Sequence, residues 1–95
     1  MNNGMKNRAV ITVLGADKVG IVAAITAVLA RRQVNIEDIR MAVMGQLFTM
    51  IALVDLSLME ISFLDLKQEL DQVGAELGVQ VLTQREEIFK FMHRV

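Results

Sequence analysis

Cysteine, proline, tryptophan and tyrosine are all missing from this chain of 95 residues. Without cysteine there is no disulfide framework and no thiolate metal site. Aromatic residues make up only 4%, all of them phenylalanine, and Phe48 alone falls in an expected strand. That is poor material for a sheet that stacks nucleic-acid bases. Neither sign of charge dominates: 10 basic residues face 11 acidic ones, for a net charge of −1. Such a balance gives no electrostatic footprint for nucleic acid or an acidic membrane surface. No apolar run approaches the ~18 residues that a membrane span needs. Lys6 and Arg8 ahead of "AVITVLGA" have the outline of a secretory leader, but the apolar run is short and reads more simply as a buried strand. The expected location is cytoplasmic, with no partner among membranes or nucleic acids.

What the chain has in plenty is apolar residues, at 54%. One domain of this length has a small interior, so part of that surface is expected to meet another chain. Residues 1–7 are expected to form a disordered tail, with Met5 an alternative start, ahead of a single domain over 8–95. "RAVITVL", Arg8 to Leu14, is rich in β-branched residues and predicts a strand. Ile21, Val22, Ile25, Val28 and Leu29 recur at helical spacing and predict a helix from Lys18 to about Arg32, with Arg31 and Arg32 suited to its negative end. Asn35–Met44 and Leu47–Leu56 read as two strands, and the two residues between them make a hairpin. Phe63, Leu66, Leu70, Val73 and Leu77 trace a second helical face, with Ser62 as N-cap and Gly78 as stop. Val79–Gln84 is a fourth strand. A short helical extension is expected from about Glu86, with Ile88, Phe89 and Met92 on one side.

The order is βαββαβ, an α+β class. Right-handed crossovers put both helices on one face of a four-stranded antiparallel sheet, which is the ferredoxin-like sandwich. Such a sheet has one face turned outward, so its strands are expected to alternate apolar and polar residues. They do not. Leu47, Thr49, Ile51 and Leu53 oppose Phe48, Met50, Ala52 and Val54, and both sets are largely apolar. Ala9, Ile11 and Val13 against Val10, Thr12 and Leu14 repeat the habit. Burying one large apolar side chain stabilises by roughly 1.5–3 kcal/mol, so several left in water forfeit a gain comparable to a domain's whole stability of roughly 5–15 kcal/mol. A cover is expected: the terminal helix, a second copy of the chain, or both, with the homodimer preferred.

The first strand and first helix meet at "VLGADKVGIVAAI", Val13 to Ile25, where Gly15 and Gly20 flank Asp17 and Lys18. Two readings stand here. One is a capped turn, with Asp17 as the cap. The other is a ligand site: helix N-termini carry unpaired N–H groups and partial positive charge, and glycine admits close approach. An amino acid suits this spot, its carboxylate on backbone N–H groups and its ammonium on Asp17 or another acceptor. The spacing matches neither a dinucleotide fingerprint nor a Walker loop, and no cofactor is expected.

The stretch "GADKVGIVAAITAVLARRQVNIEDI", Gly15 to Ile39, strongly resembles the ACT domain, a small-molecule-sensing regulatory module. The shared pattern is Gly15, the Asp17–Lys18 pair, Gly20-Ile21-Val22 opening the helix, and Asn35-Ile36 entering the second strand. The resemblance covers roughly Arg8 to Gln84. "FTM" at Phe48–Met50 and the helical extension further resemble the short free-standing members. The resemblance implies pairing of two copies, with an amino acid at their interface. It implies ligand contacts from Gly15, Asp17, Lys18, Gly20 and Ile21 on one side and from Asn35 of the neighbouring subunit on the other. Some ligand-binding members carry Asn or Pro where this chain has Asp17, Lys18 and Val19.

Little else points to chemistry. His93 is the lone histidine and lacks partners for catalysis or metal binding. Glu37 and Asp38 are adjacent and expected on opposite strand faces, so they do not form an acid–base pair; one of them is expected to answer Arg40 or to help cap an edge. Met41, Met44 and Met50 are adaptable interface filler. No nucleophile has a base beside it. The expectation is a non-enzymatic, homodimeric sensor of a small molecule, an amino acid above all, that signals to a partner protein. The alternative is a ligand-free interaction module docking through its apolar sheet face.

Overall fold

The computed structural model describes residues 7–16 and 19–88. The expected tail before residue 7 with Met5, the Asp17–Lys18 pair, and residues 89–95 with Met92 and His93 lie outside the described residues. The elements run β1 (Arg8–Ala16), α1 (Ile21–Arg31), β2 (Asn35–Met44), β3 (Leu47–Asp55), α2 (Phe63–Leu77) and β4 (Gln80–Arg85). They form a four-stranded sheet of order β2-β3-β1-β4, antiparallel at every pairing. This is the ferredoxin-like α+β sandwich that the sequence predicts. Residues 86–88 begin a helical turn.

The register fixes which side chains share a face. Ala9, Ile11 and Val13 of β1 stand opposite Val54, Ala52 and Met50 of β3, and all six are buried. Ile21, Ile25, Val28 and Leu29 of α1 and Leu66 and Leu70 of α2 close over them as one core. The helical spacing read from the sequence is thus the spacing of the buried stripe. α2 starts where Ser62 accepts a hydrogen bond from the Asp65 backbone N–H at 3.0 Å, and it ends at Gly78. Gly74 does not interrupt it. An added Cβ there would lie 2.6 Å from Val81 Cγ2, so the glycine lets α2 sit close on β4.

Three local features differ from expectation. α1 begins at Ile21 rather than Lys18, with Gly20 as its N-cap and no side-chain cap hydrogen bond. β2 carries a bulge between Ile36 and Asp38. The extra residue, Glu37, reaches the Arg8 guanidinium at 3.2 Å, while Asp38 is aligned with outward-facing Leu53 and bonds Arg40 at 3.2 Å. A bulge breaks the two-residue alternation, so Glu37 and Asp38 share the outer face instead of taking opposite ones. Asn7 is held rather than loose: its carbonyl accepts from Leu56 N–H at 2.7 Å, and its side-chain oxygen accepts from Arg85 at 2.9 Å.

The outer face behaves as the double apolar pattern predicts. Leu14 is 38% exposed, Ile51 41% and Leu82 49%, with Met44 and Leu47 also open to solvent. Among the described residues, the end near Arg8 is closed. There Val10 is 4% exposed, and Glu86, at the start of the last helical turn, bonds Arg8 at 2.9 Å.

Candidate ligand site at the turn after the first strand

The two glycines of the opening turn are there for different reasons. Gly15 faces the packed side of the sheet, beside Phe48 in register. A Cβ on it would lie 2.7 Å from Val79 Cγ1 and 3.1 Å from Val79 Cα, so its missing side chain admits the chain entering β4. Gly20 has nothing within 4 Å of an added Cβ, but its φ is +95°. That left-handed conformation strains any other L-residue. It turns the chain sharply enough for α1 to start at the next residue. Gly20 C=O then accepts from Ala24 N–H at 2.9 Å, the first bond of the helix.

This geometry leaves the helix start open. The first turn has neither a side-chain cap nor an acidic residue. The N–H groups of Ile21, Val22 and Ala23 have no acceptor among the described residues, and the dipole adds partial positive charge there. Such an end accepts a carboxylate or phosphate. Gly20 and Ile21 therefore stand together at the helix N-terminus, with Gly15 at the end of β1 just before it. Asp17 and Lys18 fall between them in sequence, outside the described residues. Val19 is 99% exposed, a large apolar side chain in open solvent at the rim of the turn.

Asn35 is not part of that cluster within one chain. It is exposed and aligned with Asp55, whose β1 partner is Arg8. The turn follows Ala16, aligned with Leu47, which in turn pairs with Met44 at the far end of β2. Asn35 and the turn thus sit at opposite ends of the sheet, roughly 30 Å apart at the rise of a strand. Of the predicted site positions that the structure describes, Gly15, Gly20 and Ile21 gather at one end and Asn35 stands alone at the other.

β2 is an edge of the sheet. Beside it, Ala23, Thr26, Ala27 and Ala30 of α1 line an open groove of ≈ 550 Å³ with Asn35 and Ile36. The spacing of large apolar residues does not mark this face of α1. The alanines at positions 23, 27 and 30 were the available signal, since they share the side of the helix away from Ile25 and Leu29. The Thr26 hydroxyl is engaged, donating to Val22 C=O at 2.8 Å. Among the described residues there is no group of three or more His, Cys, Asp or Glu arranged to hold a metal, and no helix is long and apolar enough to cross a membrane.

Comparison with known proteins bears on this arrangement. A family model described as the ACT domain matches residues 7–84. A UPF0237 protein of Methanocaldococcus jannaschii is 52% identical over 89 residues, 94% of this chain and 99% of that one. One from Clostridium acetobutylicum is 49% identical over 88 residues, covering 93% and 99%. Among solved structures, an ACT domain protein from Streptococcus pneumoniae superposes with a TM-score of 0.77 at 38% identity, covering 90% of this chain and 96% of that chain.

Proposed function

The chain belongs to the ACT domain family of regulatory, small-molecule-binding modules, and from that premise we propose that it senses an amino acid at the interface of a homodimer and signals the bound state to a partner protein. The observation that carries this reading is the separation of Asn35 from the uncapped start of α1. A two-fold axis beside β2 runs the two edge strands antiparallel. The partner's Asn35 then arrives at the Met44 end of the first copy, the end of the sheet at which the β1–α1 turn also stands. One such dimer has two equivalent sites, each built from both chains. The ligand carboxylate is received by the N–H groups at Gly20 and Ile21, and its ammonium by Asp17 or by the amide oxygen of the partner's Asn35. Ligand bridging two chains favours one dimer arrangement over others, and that difference in affinity is what a switch requires.

Calorimetry with the twenty amino acids tests this. A saturable heat at one site per chain, lost in Asn35→Ala while the mass in solution stays that of wild type, is the expected result. Heat that survives Asn35→Ala rejects the shared site. Silence across the panel rejects amino-acid sensing and favours the second reading, a ligand-free interaction module. That second reading is supported by the exposed leucines and isoleucine of the outer sheet face.

A further inference from the structure

We infer that the amino acid received at the start of α1 carries an uncharged aliphatic side chain, seated on Val43 and Met41 of β2. This deepens the shared site proposed above and rests on it. The bulge in β2 is the first observation. The charged residues of that strand are Glu37, Asp38 and Arg40. The extra residue at the bulge resets the alternation, and all three then stand on the outer face. Glu37 reaches Arg8, while Asp38 and Arg40 are aligned with outward-facing Leu53 and Ile51. The helix side of β2 keeps Ile36, Ile39, Met41 and Val43, opposite Val54, Ala52, Met50 and Phe48 of the core.

Part of this strip is uncovered. Phe48 and Met50 are buried, yet Val43 beside one is 53% exposed and Met41 beside the other 54%. The cover over β3 stops short of the edge strand. Both exposed residues lie toward the Met44 end, where α1 starts. Val43 pairs with Phe48 and Phe48 with Gly15, so Val43 stands two strand spacings from Gly15, roughly 10 Å. Met41 follows roughly 7 Å further along β2. A ligand whose carboxylate sits at Gly20 and Ile21 thus has an apolar shelf within reach of its side chain. The length of that shelf suits valine, leucine, isoleucine or methionine.

The surroundings favour the same class. The side of α1 toward β2 presents Ala23, Ala27 and Ala30. The Thr26 hydroxyl among them is already engaged with Val22 C=O. At the rim of the turn stands exposed Val19. Among the described residues, the helix side of β2 and this side of α1 carry no charge to answer a carboxylate, ammonium or guanidinium. A charged group placed there gives up water for no partner. An aliphatic side chain instead gains about fourfold in affinity for each methylene it buries.

The test is calorimetry on the full chain with the aliphatic, aromatic, polar and charged amino acids, each compared with alanine. It is repeated in Val43→Ser and, as an independent variant, in Met41→Ser, with circular dichroism to check the fold. Both positions are open to solvent, where substitution costs little stability. The expected result is an aliphatic amino acid bound at least about tenfold more tightly than alanine, with charged amino acids bound no more tightly than alanine. In either serine variant the ratio of that ligand to alanine is expected to fall towards one. A charged, polar or aromatic amino acid as the tightest ligand, lost in Asn35→Ala, overturns the aliphatic class and leaves the shared site standing. An aliphatic preference that both serine variants retain overturns the seat on Val43 and Met41. Silence across the panel from a folded chain overturns this inference together with the reading it rests on.

Discussion

At the scale of single residues, one polar atom among the described core residues is out of place. Thr83 is buried in β4, opposite Ile11, and its hydroxyl has no hydrogen-bond partner among the described residues. Leaving a buried hydroxyl unsatisfied costs about 1–3 kcal/mol. Thr83→Val keeps the branched shape and replaces the hydroxyl with a methyl group. We expect it to stabilise the fold by about 1 kcal/mol, raising Tm by about 4–8 °C in a domain of this size. A lowered Tm in thermal unfolding would show that the hydroxyl is satisfied in solution. The sequence offered no warning here, because threonine is an ordinary strand residue and its cost depends on what stands across from it. The glycines teach a related lesson. Gly15 and Gly20 read alike in "GADKVG", yet one answers the approach of Val79 and the other a positive φ. Residue type announces that the backbone is special; only the neighbours say why.

At the scale of elements, α1 and α2 are tied by one carboxylate. Glu69 on α2 receives Arg32 Nε at 2.7 Å and Nη2 at 3.0 Å, and Arg31 Nη2 at 3.3 Å. The Arg32 hydrogen bonds hold the Glu69 carboxyl below its ordinary value, with Arg31 adding to the effect and partial burial opposing it. The folded chain therefore protonates Glu69 at lower pH than the unfolded chain does. The clamp contributes fully above the ordinary glutamate value of about 4.3 and is lost as pH falls from there through the lower folded value. Glu69→Gln is expected to destabilise modestly at pH 7, since exposed pairs contribute little. It is also expected to shrink the loss of stability between pH 5 and 3, read by denaturant midpoints across that range. An identical acid slope in both proteins would mean that the clamp is not made in solution. Element order, most strand faces and the span of α2 were legible in advance, because each follows from local periodicity. The Arg32–Glu69 bridge and the bulge at Glu37 were not. Both depend on which residue of a distant element arrives opposite, and that is decided by register.

At the scale of the whole molecule, the same limit of local reading hides the geometry of the site. Asn35 and the β1–α1 turn belong to one motif in sequence but to opposite ends of the sheet in space. Only the strand order shows that a single chain cannot bring them together. On the reading proposed above, a site shared between two copies makes folding depend on association. Anything that binds the folded chain, a second copy included, stabilises it by mass action. An unfolding entropy near 2.1 cal/mol/K per residue gives each chain about 0.2 kcal/mol/K. A tenfold rise in protein concentration should then raise Tm by about 4 °C for a two-chain assembly and about 6 °C for a four-chain one. A lone folded chain should show no shift. Thermal scans over two decades of concentration measure this directly. We expect the two-chain dependence in wild type, and an added rise with saturating amino acid that Asn35→Ala removes. A Tm independent of concentration would place the whole stability inside one chain.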